Sequence, residues 1–98
     1  MNKKEIITKL EDNSDCLKEQ FGVSQIGLFG SFVRGKEEED SDVDLLVSFR
    51  KGRKDFFNYM RTKYYLEDLL GREVDLVTKP ALKERINNHI LNQVEYVD

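Results

Sequence analysis

The chain has 98 residues, 39% apolar and 36% charged, with a net charge of −3. That length leaves room for one small core, so a single domain over residues 1–98 is expected, and the acidic balance argues against direct nucleic-acid binding. No run approaches the roughly 20 apolar residues a membrane helix needs, and the lone Cys16 with a charged N-terminal pattern points to a reducing cytoplasm.

The predicted elements follow in chain order. Lys3 to Gln20 reads as one helix, with Ile6, Ile7, Leu10 and Leu17 at helical spacing. Phe21-Gly22 ends it, since glycine suits the left-handed cap position. Ser24 to Phe29 reads as a short strand, which Gly30-Ser31 breaks. Ser31 is expected as a helix N-cap, Phe32-Val33-Arg34 as one turn, and Gly35 as its stop. Lys36 to Ser41 reads as a charged loop.

Asp42 to Phe49 carries the strongest strand pattern. Val43, Leu45, Val47 and Phe49 share one face, and period-two geometry puts Asp42 and Asp44 together on the other. Arg50, Lys51, Arg53 and Lys54 form a basic cluster, either a solvated loop or a contact for phosphate or an acidic partner. Asp55 to Leu70 reads as a helix whose apolar stripe runs through Phe56, Met60, Tyr64, Leu66, Leu69 and Leu70. Glu73 to Val77 reads as a strand with Asp75 pointing away from Val74 and Leu76. Pro80 opens a last helix, about Ala81 to Leu91, with Leu82, Ile86 and Ile90 inward. Gln93 to Val97 is an edge strand or an extended arm.

This order of elements describes a compact α/β (α+β) unit. Ten residues between Ser31 and Asp42 are too few for a crossover helix, so the first two strands should be antiparallel. The helix before the third strand permits a parallel crossover, and a small mixed sheet with helices packed on one face is expected.

Asp42, Asp44 and Asp75 are the candidate chemical groups. Magnesium prefers oxygen ligands and is usually held by one or two carboxylates plus substrate phosphates. Clustered carboxylates without a cation repel one another and hold their protons more tightly. Two metals about 3.5–4 Å apart would stabilise both the attacking and the leaving oxygen in a displacement at phosphorus. Gly30 lets backbone approach a phosphate closely, and Ser31 adds donors at a short helix start. The pattern is neither a P-loop nor a dinucleotide fingerprint.

Gly30-Ser31, Arg34-Gly35, Ser41-Asp42-Val43-Asp44-Leu45 and Gly71-Arg72-Glu73-Val74-Asp75-Leu76-Val77 together carry a resemblance. Over almost its whole length the chain resembles the minimal nucleotidyltransferases of the DNA polymerase β-like superfamily, the MNT domains. The resemblance implies a compact nucleotidyltransferase fold, with Asp42, Asp44 and Asp75 as catalytic magnesium ligands. It also implies that Gly30 and Ser31 hold the triphosphate of ATP. Chains of this size resemble the antitoxin half of HEPN/MNT toxin–antitoxin modules, which implies transfer of AMP to a tyrosine of a HEPN ribonuclease toxin.

Arg34 either pairs with the acidic loop at Asp40 or contacts the triphosphate or the acceptor protein. Ser41 is expected to order the loop before its strand. His89 has no second ligand for zinc, and Cys16 has no catalytic histidine. Tyr59, Tyr64 and Tyr65 are expected to pack in the core or on a partner. Two rivals stand beside the transferase: a non-catalytic antitoxin that works by occlusion, and transfer to a small molecule or an RNA end.

Overall fold

The computed structural model of the chain describes residues 1–35, 41–81 and 93–97. Its elements in order are α1 (Lys3–Asp12), α2 (Ser14–Phe21), β1 (Val23–Phe29), α3 (Ser31–Arg34), β2 (Val43–Phe49), α4 (Phe56–Leu70), β3 (Val74–Thr78) and β4 (Glu95–Val97). The strands form one sheet in the order β3-β2-β1-β4. β1 pairs antiparallel with β2 and with β4, while β2 and β3 are parallel. The mixed sheet is the one that the connection lengths predict: the short link reverses the chain and α4 carries it back. Of the tail Gln93 to Val97, Glu95–Val97 forms an edge strand.

Alternation along the strands splits the apolar residues between two faces. Ile26, Leu28, Val43, Leu45, Val47, Val74 and Leu76 join Ile6, Leu10, Leu17, Leu66 and Leu70 in the main core, beneath α1, α2 and α4. Phe29, Leu46 and Val77 form a smaller cluster with Ala81 and Val94. Leu82, Ile86, Ile90 and His89 lie outside the described residues, as does the acidic loop 36–40. Among the described residues no helix is long and apolar enough to cross a membrane.

Three expectations need correction. The first helix is two, because Asn13 leaves helical geometry between them and turns its side chain to one local partner and one on α4. Its Nδ2 donates to Lys9 O at 2.8 Å, and its Oδ1 accepts from Tyr65 Oη at 2.9 Å; such side chains compete with the helix ladder. Second, Ser31 is the first residue of α3, and Gly30 occupies the cap position.

The third concerns α4, which buries Asn58, Thr62, Leu66 and Leu70 and leaves Phe56 and Tyr64 largely exposed. Two polar residues sit on the buried stripe with their donors bonded, while Asn58 Oδ1 has no partner among the described residues. Asn58 Nδ2 donates to Phe21 O and Arg53 O, both at 2.7 Å, and Thr62 Oγ1 donates to Asn58 O. The basic cluster is likewise divided. Arg50 and Arg53 donate to Lys18 O and Gln20 O at the end of α2, where cations suit unpaired carbonyls. Lys51 and Lys54 stay exposed.

Candidate active site

The site is built where β1 ends and β2 begins. Gly30 leaves β1 with φ 78° and ψ −148°, a region that L side chains rarely enter. A methyl built on it would collide with Asp44 Oδ2. Glycine is therefore required twice here, by its backbone and by the carboxylate pressed against it. The turn continues into α3, which Gly35 stops in the left-handed conformation, as its position in the sequence predicts. Phe32 is buried in the main core and anchors this turn.

Asp44 stands opposite Phe29 on one side and Asp75 on the other in strand register. Paired strands lie about 4.8 Å apart, so the two carboxylates share a face as neighbours. Asp42, one full strand period before Asp44, precedes the start of β2. These placements act on Asp44 itself. Its acidity is weakened and its pKa raised from 3.8 to about 6, first by burial, then by the charges of Asp75 and Asp42. The Arg34 guanidinium and the Ser31 backbone N–H, which donates to Asp44, oppose that rise. The sequence-predicted residues Gly30, Ser31, Arg34, Asp42, Asp44 and Asp75 thus meet around one half-buried carboxyl group. Asp40, the other partner considered for Arg34, lies outside the described residues.

A polar cavity of about 280 Å³ opens beside this cluster, lined by Asp42 and Asp75 with Lys63, Glu67 and Glu73. A larger apolar crevice, about 360 Å³, lies between Val47, Phe49, Thr78 and Pro80. It sits at the far ends of β2 and β3 and holds no carboxylate, so chemistry rather than volume locates the site.

Arg72 belongs to the site's framework, and sequence reasoning gave it no role. Its Nη1 donates to Ser41 O at 3.2 Å, next to Asp42, while its guanidinium lies 5.5 Å from the Phe32 ring centroid. One side chain thus ties the turn after β1 to the start of β2. Glu67 Oε2 accepts from the Val74 N–H at 3.0 Å and fixes the entry of β3 in the same way. Lys63 also went unread; only the cavity reveals it, because helical spacing could not show which strands α4 crosses.

Among the described residues no three carboxylate, histidine or cysteine side chains are drawn together as a finished metal cage. The donor set nevertheless fits magnesium. It consists of hard carboxylate oxygens paired by register, with Asp44 partly buried and facing the like charges of Asp75 and Asp42. A hexacoordinate ion would complete its shell with phosphate and water.

A glycine turn facing paired strand carboxylates on a mixed sheet defines a class of α/β enzyme that handles phosphate esters. Comparison with known proteins narrows it: residues 10–97 match the family model described as the nucleotidyltransferase domain. The chain belongs to that family and is a nucleotidyltransferase. It is 46% identical over 93 residues to the protein adenylyltransferase MntA of Thermococcus cleftensis, spanning 95% of this chain and 93% of that one. A candidate protein adenylyltransferase of Methanocaldococcus jannaschii is 40% identical over 91 residues, or 93% and 89% of the two chains.

Solved structures agree. A candidate minimal nucleotidyltransferase superposes with a TM-score of 0.76 at 35% identity, covering all 100% of this chain and 96% of its own. A toxin–antitoxin complex holding AMP-PNP matches with a TM-score of 0.66 at 25% identity, over 98% of this chain and 72% of that chain.

Proposed function

We propose that this nucleotidyltransferase is the antitoxin half of a toxin–antitoxin pair and acts as a protein adenylyltransferase. Its acceptor is a tyrosine hydroxyl of a HEPN-type ribonuclease partner and its donor is ATP. The observation that carries the reading is Asp44, in register with Asp75 and pressed against the Gly30 turn. The similarity to a named adenylyltransferase and to a toxin–antitoxin complex with an ATP analogue supports it. A reducing cytoplasm, suited to the free Cys16, is the proposed compartment.

In this reading Asp42 and Asp44 hold magnesium, in all two ions, and Asp75 completes the ligand set. Held there, magnesium would supply positive charge against the carboxylate and phosphate oxygens and so stabilise the charge that builds at phosphorus. Gly30 and the Ser31 hydroxyl receive the triphosphate, and Arg34 offsets its charge. The tyrosine oxygen forms a bond to the α-phosphorus while the bond from that phosphorus to pyrophosphate breaks. Asp75 takes the phenolic proton, and pyrophosphate leaves with the electron pair.

The test is intact-mass spectrometry of a HEPN-type ribonuclease from the same genome, after incubation with the chain, ATP and magnesium. One or more added AMP units are expected with the native chain, and none with Asp42→Asn combined with Asp44→Asn. A partner that is inhibited but never gains mass would favour occlusion instead. Equal labelling by the double variant would remove the carboxylates from catalysis.

A further inference from the structure

The outer side of α4 serves neither the core nor the carboxylate cluster. Phe56, Phe57 and Tyr64 are 67%, 82% and 60% exposed, and the two phenylalanine rings meet edge to face with centroids 6.3 Å apart. Burying a ring of this size is worth roughly 1.5–3 kcal/mol. A helix that buries Asn58 and Thr62 while holding three aromatics in water has forgone that gain, as surfaces awaiting a partner do.

Charge says which partner. Residues 50–64 carry six cationic side chains against one carboxylate, Asp55, in a chain whose net charge is −3. Asp55 is already engaged in capping α4 through the Asn58 N–H. Lys51 and Lys54 have neither a hydrogen-bond nor an ion-pair partner among the described residues.

We propose that this face of α4 docks an acidic segment of the protein acceptor, with an apolar stripe against the rings and carboxylates at its rim. The proposal rests on the adenylyltransferase reading and adds to it where the acceptor sits. Two copies of this chain meeting through the same face would set cations against cations, which disfavours self-pairing. Single-stranded nucleic acid is disfavoured because the two phenylalanine rings stack on each other's edges and offer no parallel platform to bases. The face is also continuous with the site. Lys63, the residue before Tyr64, lines the polar cavity with Asp42 and Asp75, and Phe57 precedes it by about 9 Å of helix. A partner seated on the rings would bring a tyrosine within reach of the carboxylates.

The probe is the purified HEPN-type partner, titrated against the whole chain by calorimetry without ATP. Two variants test the face, Phe57→Ser with Tyr64→Ser and Lys51→Glu with Lys54→Glu, each checked for native melting temperature. Each should weaken the complex by ~10-fold or more and raise KM for the partner in AMP transfer, with kcat and fluorescent-ATP binding unchanged. Asp42→Asn with Asp44→Asn should bind the partner normally.

The outcomes separate. Unaltered binding and transfer in both surface variants would overturn the docking face and leave the adenylyltransferase reading intact. A complex that needs the aromatics but never gains AMP would uphold docking and sink that reading. Absence of any complex would overturn both. If Phe57→Ser with Tyr64→Ser instead abolished capture of labelled oligo-dT, or self-association in sedimentation, the face would belong to nucleic acid or to a second copy, and the proposal would fall.

Discussion

Asp44 gathers three physical effects in one carboxyl group: partial burial, two like charges, and the opposing pull of Arg34 and the Ser31 N–H. Its proton is held to about pH 6 in the folded chain, against 3.8 ordinarily. Between those values the folded state binds more protons than the unfolded state, so raising the pH removes stability. Above about pH 6 both states are ionised and the penalty is complete. Asp44→Asn keeps an oxygen for the Ser31 N–H and discards the charge. Differential scanning fluorimetry should therefore find the variant a few degrees more stable at pH 7.5, a modest gain because solvent screens a half-buried charge. The difference should shrink towards pH 4.5; a variant less stable than the native chain at pH 7.5 would refute the electrostatic account. The sequence announced these residues, since Gly30, Asp42 and Asp44 stand at motif spacing. It could not announce the contact between Gly30 and Asp44, which arises from the pairing of Phe29 with Asp44 across two strands.

Along α4, both ends were legible, because Asp55 caps its start and Gly71 closes it in the left-handed conformation. Its orientation was not. Apolar counting chose Phe56, Met60 and Tyr64 for the inside, whereas the helix buries Asn58, whose partners belong to other segments, and Thr62, which bonds back to Asn58 O within the helix. Periodicity weighs side chains by hydrophobicity and is blind to carbonyls that need a donor. Asn58 supplies two such bonds, to the end of α2 and to the loop before α4. Removing it with Asn58→Ala leaves Phe21 O and Arg53 O short of a donor, at a cost of about 2–3 kcal/mol. Urea unfolding should show that loss as a lower midpoint at constant slope; a change within about 0.5 kcal/mol would mean water replaces the bonds. The break at Asn13 has the same origin, a polar side chain answering to Tyr65 from α4.

For the whole molecule, chain connectivity predicted the architecture well. A short link dictated the antiparallel β1–β2 pair, and a helical link permitted the parallel β2–β3 pair that sets Asp75 beside Asp44. The framework that holds the site was hidden, because Arg72 and Glu67 reach it across more than one element. The central claim is that these carboxylates and the Gly30 turn form one magnesium-dependent nucleotide site. Equilibrium binding of a fluorescent ATP analogue to the chain alone, with and without magnesium, tests it most directly. Magnesium should tighten binding at pH 7.5, less so at pH 5.5 where Asp44 keeps its proton, and not at all in Asp42→Asn with Asp44→Asn. Binding that ignores magnesium in the native chain, or a magnesium effect that survives in the double variant, would contradict it.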